Sequence, residues 1–393
     1  MDSAEREGLR PKGNVPNLRF PEFQGEWEKC KVSDLLDFYS TNSLSWEKLE
    51  YGTDAIQNLH YGLIHVGLPT MIDLGKDKLP NIINGNTPKN YELCQEGDIV
   101  FADASEDTNE VAKAVEFYKL NGTHVICGLH TIHGRDNQQK TVVGYKGYAF
   151  SSTAFHHQIR RIAQGTKIYS INSKNFSECY IGIPSKEEQK KIATLLRLID
   201  ERIVTQNKII DKLQSLIKGI AQKIVCNNKP NVRLTECLEC KSSTLQESEV
   251  CEQGTYPVYG ANGIVGYLDN YNTEGEAVYI IKDGSGVGTV SYVTGKCSAT
   301  GTLNTLQAKE GYSLQYLYYL LKVFNFEPYK TGMAIPHIYF KDYGKAKVFC
   351  PSYTEQLQYA RLLSAIDNKL SIEQNILTEL SLQKQCLLRQ MFI

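Results

Sequence analysis

Four cysteines in the second half of the chain are the first residues whose types and spacing could do chemistry. Cys237 and Cys240 form a Cys-x-x-Cys pair, Cys251 follows eleven residues after it, and Cys297 lies farther along. A structural zinc site needs four ligands, and no second Cys-x-x-Cys or His pair completes the set. We therefore expect no metal site and interpret the cysteines as mostly small buried residues of a protein in a reducing compartment.

Three other motifs could do chemistry, and each fits a structural interpretation better. The glycine-rich stretch 284–288 lacks dinucleotide-binding spacing and is predicted to be a turn. Glu188 and Lys190 match the end of a nuclease Glu-x-Lys pattern, but they fall in the first turn of a predicted helix, where the Glu can act as a cap. His156 and His157 lie on a predicted helix without a carboxylate cluster nearby, which argues against a metal site there.

Signatures of the common catalytic classes are absent from the sequence. It contains no Gly-x-x-x-x-Gly-Lys-Ser/Thr loop for a nucleoside triphosphate and no Asn/Asp-Pro-Pro-Tyr/Phe stretch of an amino-methyltransferase. It also contains no Gly-x-Ser-x-Gly elbow and no His-Glu-x-x-His motif. The sequence therefore predicts a protein without a catalytic site of its own.

Length and composition favour a soluble protein of two or three domains. The chain has 393 residues, of which 41% are hydrophobic and 22% are charged. No apolar run approaches the roughly 20 residues that a membrane span requires. The first thirteen residues are polar and charged, without the apolar core of a signal peptide. These features predict a cytoplasmic protein.

Charge is unevenly distributed along the chain. Residues 27–185 carry fifteen basic and eighteen acidic side chains, and residues 226–352 carry eleven and twelve. The stretch 186–225 is basic, with nine basic and five acidic side chains. Because neutralised phosphates supply most of the affinity for DNA, the two near-neutral segments alone would bind DNA weakly. If the protein reads DNA, we expect a basic partner to contribute much of the binding.

An internal duplication organises the chain. Residues 165–225 align with residues 332–392 without a gap, at a constant offset of 167, and 15 of the 61 positions are identical. Each copy contains Gly-x-x-Ile-x-x-Ile, then Pro-Ser-x-x-Glu-Gln, and then Leu-Leu-x-x-Ile-Asp. The chain is therefore a tandem repeat.

The second part of each copy is predicted to be one long helix with a coiled-coil seam. Its Pro-Ser-x-x-Glu start is a helix-entry signature, and apolar residues recur at the a and d positions of a heptad. Polar residues interrupt both seams at the same two heptad positions. The first position holds Gln189 in one copy and Gln356 in the other, and the second holds Gln206 and Glu373. Lys384 is a further polar residue in the seam of the second copy. At about 1.5 Å per residue, 40 residues make a rod of roughly 60 Å, which needs a partner.

The other copy is the nearest partner for each rod. Two similar repeats can pack about a pseudo-two-fold axis, as the subunits of an isologous dimer do, and this packing makes the helices antiparallel. We favour this arrangement over two separate helices that each dock on their own domain. The expected fold is therefore α+β, with two similar mixed α/β domains separated by an intramolecular antiparallel coiled coil.

The globular segments before the two helices share an outline but not a sequence. Residues 98–101 and 277–281 are predicted to be strands, each followed by a short polar loop. Helices are predicted around residues 148–163 and 314–325. A common framework with different surface residues is what two related domains with different ligands would show.

The repeated Pro-Ser-x-x-Glu-Gln and Leu-Leu-x-x-Ile-Asp motifs resemble the specificity subunit of type I restriction–modification systems. The lead-in at residues 15–28, with Val-Pro-Asn-Leu-Arg-Phe-Pro-Glu-Phe and Gly-Glu-Trp-Glu, looks like the N-terminal segment of that family. Tyr-Pro-Val-Tyr-Gly-Ala-Asn-Gly-Ile at residues 256–264 looks like the opening of a second target-recognition domain. The resemblance extends from about residue 15 to the end of the chain.

The resemblance implies a division of the chain and a set of partners. It implies a lead-in (1–26), recognition domain 1 (27–183), spacer helix 1 (184–226), recognition domain 2 (227–350) and spacer helix 2 (351–393). Each domain would read one half of a bipartite target in double-stranded DNA, and the coiled coil would set the spacing. Two modification subunits would use S-adenosylmethionine and restriction subunits would use ATP and Mg²⁺, so the chain itself would need no cofactor.

Base recognition needs side chains with directed donors or acceptors on loops that can enter the major groove. The candidates in the first domain are Asp103, Ser105, His130, Arg135, Gln138, Gln139 and Lys140. The candidates in the second domain are Tyr259, Asn262, Lys282, Asp283, Ser285, Thr302, Lys330 and His337. The alternative function is a non-enzymatic interaction scaffold with two ligand modules on a coiled-coil spacer, which the near-neutral charge would permit.

Overall fold

A computed structural model describes residues 13–53 and 55–393 of the chain. The polar N-terminal stretch from which the absence of a signal peptide was predicted lies almost wholly outside the described residues. The chain divides into two compact units. Unit 1 contains the described residues up to Thr205 together with Leu377–Ile393, and unit 2 is Gln206–Ile376.

Unit 1 is built on a five-stranded sheet in the order β2-β11-β7-β9-β5 and a four-stranded sheet in the order β10-β4-β6-β3. Its strands are β1 (Glu28–Lys31), β2 (Asp37–Tyr39), β3 (Leu49–Glu50), β4 (Gln57–Leu59), β5 (Met71–Asp73), β6 (Asn81–Ile82), β7 (Ile99–Ala102), β8 (Ala104–Ser105), β9 (Ala114–Lys119), β10 (Val125–Cys127), β11 (Thr131–Arg135), β12 (Tyr169–Ser170) and β13 (Tyr180–Ile183). Its short helices are α1 (Val32–Leu35), α2 (Tyr61–His65), α3 (Tyr145–Phe150), α4 (Thr153–Ile162) and α5 (Ser173–Ser177), with a 3₁₀ turn at Trp46–Lys48.

The core of unit 1 lies on both faces of β7. All four residues of this strand are buried, as expected for the continuous apolar run that predicted it. Ile99 and Phe101 face one apolar cluster with α3, while Val100 and Ala102 face another with α2, because successive side chains of a strand point to opposite faces. The predicted helix around residues 148–163 is wrong in one respect. Ser152 caps a new helix through its Oγ, which accepts from the amide of Phe155, so the segment forms α3 and α4 instead.

Unit 2 repeats the plan with fewer strands. Its four-stranded sheet has the order β15-β21-β18-β19, and a three-stranded sheet has the order β17-β16-β20. The strands are β14 (Val232–Arg233), β15 (Leu238–Ser242), β16 (Tyr256–Gly260), β17 (Gly263–Leu268), β18 (Ala277–Ile281), β19 (Val290–Val293), β20 (Ser298–Ala299), β21 (Leu303–Ala308) and β22 (Lys347–Val348). The short helices are α7 (Leu234–Cys237), α8 (Leu314–Lys322) and α9 (Phe340–Tyr343), with 3₁₀ turns at Glu247–Glu249 and Glu327–Tyr329. The predicted strand at 277–281 is confirmed, and all its residues are buried.

The two long helices are α6 (Lys186–Cys226) and α10 (Tyr353–Gln390), and they pair in antiparallel fashion. In unit 1, Asp200 of α6 forms an ion pair with Lys384 near the end of α10, with Oδ1 and Nζ 2.6 Å apart. In unit 2, Gln206 of α6 bonds to Glu373, which lies eleven residues before Lys384 on α10. A later residue of α6 therefore contacts an earlier residue of α10, which means that the two helices run in opposite directions. The predicted antiparallel coiled coil is confirmed. Lys384 fits the seam because its ammonium group reaches Asp200.

Most residues of the seam are buried, as the heptad pattern predicts, and the others are half-buried. On α6, Ile192, Leu196, Ile210 and Ile217 are at most 8% exposed, and on α10 Leu363, Leu370 and Leu380 are equally buried. Among the described residues, no helix is long and apolar enough to cross a membrane. The segment bounds given above for the domains and spacers remain a prediction, since each compact unit contains parts of both long helices.

Buried glutamines attach each long helix to the domain that precedes it. The side chain of Gln189 accepts from the amide of Val142 at 2.9 Å and donates to the carbonyl of Pro184 at 2.9 Å. Its counterpart Gln356 accepts from the amide of Ser313 and donates to the carbonyl of Pro351 at the same distances. The repeated Glu-Gln motif is therefore structural.

The glutamate beside each glutamine differs between the copies. Glu188 is buried and binds the guanidinium of Arg19 at 2.7 Å through both oxygens, which fastens the lead-in to α6. Glu355 instead accepts from the amide and hydroxyl of Ser352, as a helix cap. The predicted capping role is thus confirmed for the second copy and is wrong for the first.

Candidate nucleic-acid interface

The same four strands form the framework of both units. The order β2-β11-β7-β9 in unit 1 corresponds to β15-β21-β18-β19 in unit 2, and all neighbouring strands are antiparallel. The central strand, β7 or β18, leads at its carboxyl end into the polar loop that the sequence singled out. The start of β11 or β21 lies beside this end, because Ala102 pairs with Thr131 and Ile281 with Leu303.

Backbone hydrogen bonds at this junction are the same in both units. The amide of Asp103 donates to the carbonyl of His130 at 3.1 Å, and the amide of Ile171 donates to the carbonyl of Asp103 at 3.0 Å. In unit 2 the amide of Lys282 donates to the carbonyl of Thr302 at 3.0 Å, and that of Ile338 donates to Lys282 at 2.9 Å. Asp103 and His130 thus stand where Lys282 and Thr302 stand in the other unit. The backbone hydrogen bonds of this junction are therefore the same in the two units, and the side chains attached to it differ.

In unit 1 the structure brings together Asp103, Ser105 and His130 of the predicted residues. The Nδ1 atom of His130 lies 3.2 Å from Oδ1 of Asp103, and both side chains are partly exposed, at 50% and 30%. Ser105 follows on β8, where its Oγ accepts from the amide of Asp107. His130 has a positive φ of 53°, an uncommon conformation for a residue other than glycine. Exposed donors and acceptors of this kind can read base edges.

A group of aromatic and imidazole rings, which sequence reasoning missed, surrounds this pair. The ring of Tyr61 lies 5.2 Å from that of His130, and the ring of Trp46 lies 4.6 Å from that of His60. Trp46 is 45% exposed. Burial and the neighbouring His130 lower the pKa of His60. No sequence pattern links these residues, because strand pairing alone brings α2 beside the loop after β10.

Four predicted residues of unit 1 lie elsewhere. Arg135 lies at the far end of β11, where it is buried, rather than on the open loop that the sequence predicts, and both Nε and Nη2 bind the carboxylate of Asp98 at 2.8 Å. Its Nη1 binds Glu92, also at 2.8 Å, so its donors are occupied within the protein. The loop after Arg135 carries the other three, which are Gln138, Gln139 and Lys140. Gln138 and Gln139 are exposed and Lys140 is partly exposed, but β11 separates all three from His130 by a strand length of roughly 17 Å.

In unit 2 a second exposed acid–imidazole pair lies at the corresponding end of the sheet. The Nδ1 atom of His337 is 2.6 Å from Oδ1 of Asp283, and each side chain is 35% exposed. Lys282 precedes Asp283. Thr302 lies opposite, with its hydroxyl 2.8 Å from that of Thr300. The predicted residues Lys282, Asp283, Thr302 and His337 are therefore neighbours, although as many as 55 positions separate them in the sequence.

The remaining four predicted residues of unit 2 border this group. The carbonyl of Tyr259 accepts from the amide of Thr300 at 2.9 Å, and burial raises the pKa of its phenol. Asn262 is exposed in the turn between β16 and β17. Ser285 is exposed in the stretch 284–288, which forms the turn that the sequence predicts. Lys330 is partly exposed and pairs with Glu327 at 2.5 Å.

A repeated glycine loop adds exposed apolar residues beside each group. At Gly332 a Cβ atom would lie 2.3 Å from the carbonyl oxygen of Ile335, and at Gly165 it would lie 1.9 Å from that of Ile168. Only glycine fits these positions, which explains the repeated Gly-x-x-Ile. Ile168, Met333 and Ile335 are all more than half exposed. The duplication was the sequence signal that could have pointed to this loop.

The four cysteines first considered as metal ligands are not gathered into one site. Cys237 is buried and its thiol donates to the carbonyl of Leu234 at 3.4 Å, whereas Cys297 is buried beside the hydroxyl of Tyr279 at 3.1 Å. Cys251 is exposed. Within the described part of the chain, the group with metal-binding geometry is a different one in unit 1, formed by Cys94, Cys127 and His133.

Comparison with known proteins shows the family to which this chain belongs. Residues 78–215 and 228–382 each match the family described as type I restriction modification DNA specificity domain. The chain therefore belongs to that family. A protein of Mycoplasma genitalium described as a type I specificity subunit is 27% identical over 273 residues, which cover 62% of this chain and 69% of the relative. The specificity subunit described for the MjaX type I restriction enzyme of Methanocaldococcus jannaschii is 24% identical over 405 residues, covering 92% of this chain and 91% of that protein.

Solved structures agree on the fold. The crystal structure of the S subunit of a type I restriction–modification system from M. genitalium superposes with a TM-score of 0.65 at 19% identity, and the match covers 96% of this chain and 99% of that one. A chain from a study of complex assembly and conformational transition of the type I system superposes with a TM-score of 0.56 at 14% identity, covering 93% and 97%. The expected architecture of two recognition domains with paired long helices is thus confirmed.

Proposed function

We propose that this chain is the sequence-reading subunit of a type I restriction–modification complex. Each recognition domain reads one half of a bipartite target in double-stranded DNA, and the antiparallel coiled coil sets the spacing between the halves. The observation that carries the proposal is the common junction at the end of β7 and β18. It holds Asp103 and His130 in one unit and Lys282 and Thr302 in the other, on identical backbone hydrogen bonds. A fixed frame with exchanged polar side chains suits two domains that recognise different base sequences.

The proposed contacts are narrower than the sequence-based set. Arg135 is left out because its guanidinium is committed to Asp98 and Glu92. In unit 1 the proposed base contacts come from Asp103, Ser105 and His130, with Trp46 and Tyr61 as flanking apolar contacts. Gln138, Gln139 and Lys140 are assigned to backbone or partner contacts at the other end of the sheet. In unit 2 the proposed contacts are Tyr259, Asn262, Lys282, Asp283, Ser285, Thr302, Lys330 and His337.

The chain would carry no catalysis itself. Two modification subunits would methylate the target with S-adenosylmethionine, and restriction subunits would supply the chemistry that requires ATP and Mg²⁺, in the cytoplasm. The near-neutral charge of the globular segments supports this division, since much of the phosphate binding must then come from the partners. Family membership favours this function over the scaffold alternative.

The test is a selection of duplexes from a random library by the chain bound to its modification subunits. A bipartite motif should be enriched, and the enriched duplex should bind more tightly than a random duplex at the same salt concentration, because base contacts add affinity that does not depend on counterion release. The modification subunits alone are the control and should enrich no such motif. Equal recovery of all duplexes by a confirmed complex would contradict the proposal and favour the scaffold.

A further inference from the structure

Two buried thiols and a buried imidazole converge in the interior of unit 1. Cys94 precedes β7, Cys127 ends β10 and His133 is in the middle of β11. All three are buried, at 5%, 1% and 0% exposure. The two sulfur atoms are 3.4 Å apart, and the three potential ligand atoms all lie within 4.8 Å of one another.

The imidazole of His133 is held in the way that metal-binding histidines are. Its Nε2 atom lies 2.7 Å from Oδ2 of Asp98, which fixes the ring and leaves Nδ1 as the nitrogen available for a ligand. Nδ1 is buried without a hydrogen-bond partner of good geometry, and the polar group beside it is the thiol of Cys127. Buried polar atoms are nearly always paired, so this exception needs an explanation. Metal-binding histidines usually donate a hydrogen bond from the other ring nitrogen to a carboxylate, as His133 does to Asp98.

Asp98 is itself fixed by several donors. Arg135 binds both of its oxygens at 2.8 Å, and the amide of Gln95 donates to Oδ2 at 2.8 Å. The positive guanidinium balances the negative carboxylate, so the pair contributes no net charge to the neighbouring cluster. A cation bound by Cys94 and Cys127 as thiolates would then complete a neutral group, which removes the cost of burying unpaired charge.

We propose that Cys94, Cys127 and His133 bind one thiophilic metal ion, with Zn²⁺ as the expected occupant. Thiolate and imidazole are the ligands that Zn²⁺ prefers, at about 2.3 Å and about 2.0 Å respectively. Tetrahedral angles at such distances put two sulfur ligands about 3.8 Å apart, so the thiols need to separate by only a few tenths of an ångström. Cys94, Cys127 and His133 supply three of the four ligands of a tetrahedral zinc ion, and a water molecule would be the fourth, as in zinc sites with three protein ligands.

The ion would join the two sheets of unit 1. Cys127 belongs to the four-stranded sheet and His133 to the five-stranded sheet, while the amide of Cys94 donates to the carbonyl of Val125 at 2.8 Å. β11, which carries His133, begins directly after His130 of the proposed interface. Binding energy at such a site is folding energy, because the unfolded chain has no preformed site. The metal would therefore hold the recognition loop in place without contacting DNA.

Metal content of the purified full-length chain tests the proposal independently of DNA binding. Elemental mass spectrometry should find one zinc per chain, and replacement by Co²⁺ should give the absorption bands of a thiolate-bound tetrahedral ion. Cys127→Ser and His133→Asn should each lose the metal. Cys237→Ser is the matched control, since that thiol is equally buried but lies in unit 2, and it should keep one zinc.

Two results would overturn the proposal. One is a folded wild-type chain without metal whose unfolding temperature does not rise when Zn²⁺ is added. The other is a disulfide between Cys94 and Cys127 in chain isolated under reducing conditions. If a variant fails to fold, the wild-type stoichiometry and the Co²⁺ spectrum still decide, and neither depends on whether the chain reads DNA.

Discussion

Gln206 donates a hydrogen bond from its side-chain amide to the backbone carbonyl of Glu373, at 2.9 Å, and a second bond to the carboxylate of the same residue. The two residues are 167 positions apart, which is the offset of the internal repeat, so each is the counterpart of the other. When two equivalent helices pair in antiparallel fashion, a residue contacts its own counterpart only at the midpoint of the pair. A buried polar pair at this point fixes the register of the coiled coil.

Replacing Gln206 by Leu should destabilise the chain, because Glu373 would lose the donor that its carboxylate and its carbonyl share, and its carboxylate would keep only the ion pair with Lys369. We expect a loss of about 1–3 kcal/mol in the free energy of unfolding, measured with urea. Asn207→Leu, at the adjacent exposed position, should change it by less than about 0.5 kcal/mol. The double variant Gln206→Leu with Glu373→Leu should recover most of the loss. Additive effects of the two single substitutions would contradict this pairing.

Much of the fold follows from short-range patterns in the sequence. The constant offset and the heptads predicted both long helices and their antiparallel pairing, because these depend only on residues a few positions apart. The site was less predictable. Asp103 and His130 lie 27 positions apart, and Asp283 and His337 lie 54 apart, so only the strand pairing decides that they meet. The burial of Arg135 was unpredictable for the same reason, since its partner Asp98 lies 37 positions earlier, next to the start of the neighbouring strand β7.

Arg135→Ala should act on stability rather than on sequence recognition. Removal of the guanidinium leaves the buried carboxylate of Asp98 with only His133 and one amide, which should cost about 3–5 kcal/mol in unfolding free energy. Affinity for target and random duplexes should fall by the same factor, as the folded fraction falls. Arg161→Ala, at an exposed position on α4, is the control for stability and should leave the unfolding free energy nearly unchanged. A selective loss of affinity for the target duplex would restore Arg135 to the interface.

Stability that depends on Asp98 should also be lost in acid. Although burial opposes ionisation, the hydrogen bonds from Arg135 and His133 hold the pKa of Asp98 below its usual value. A carboxylate with a depressed pKa in the folded state stabilises the protein above its unfolded-state pKa, and this contribution is lost as the pH falls through the folded-state value. Unfolding free energy should therefore decline below about pH 4 more steeply in the wild type than in Asp98→Asn. Parallel pH profiles of the two proteins would contradict this role.

Each histidine of the interface should affect one half of the target. His130→Ala should relax base preference in the half-site read by unit 1, and His337→Ala in the half-site read by unit 2. Loss of a directed base contact costs about 1–3 kcal/mol of discrimination. Methylation rates on duplexes with single changes in one half-site measure this. His157→Ala, an exposed histidine on α4, should leave both halves unchanged. Equal effects of either interface substitution on both halves would contradict the division of labour.

The length of the coiled coil should set the distance between the half-sites. Adding one heptad to both α6 and α10, beside Gln206 and Glu373 so that the seam is preserved, lengthens the rod by about 10 Å. This corresponds to about 3 base pairs of duplex at about 3.4 Å each. The variant should prefer a target with a correspondingly longer spacer and unchanged half-sites. Unchanged spacing in a folded, active variant would show that the coiled coil does not act as a ruler.

The central claim is that this chain directs methylation to a bipartite sequence. Long-read methylome sequencing of cells that express it with and without a cognate modification subunit tests this most directly. We predict a new methyladenine motif, in two parts separated by unspecified bases, that appears only when both proteins are present. The absence of any new motif, with a stable complex of the two proteins confirmed, would contradict the claim.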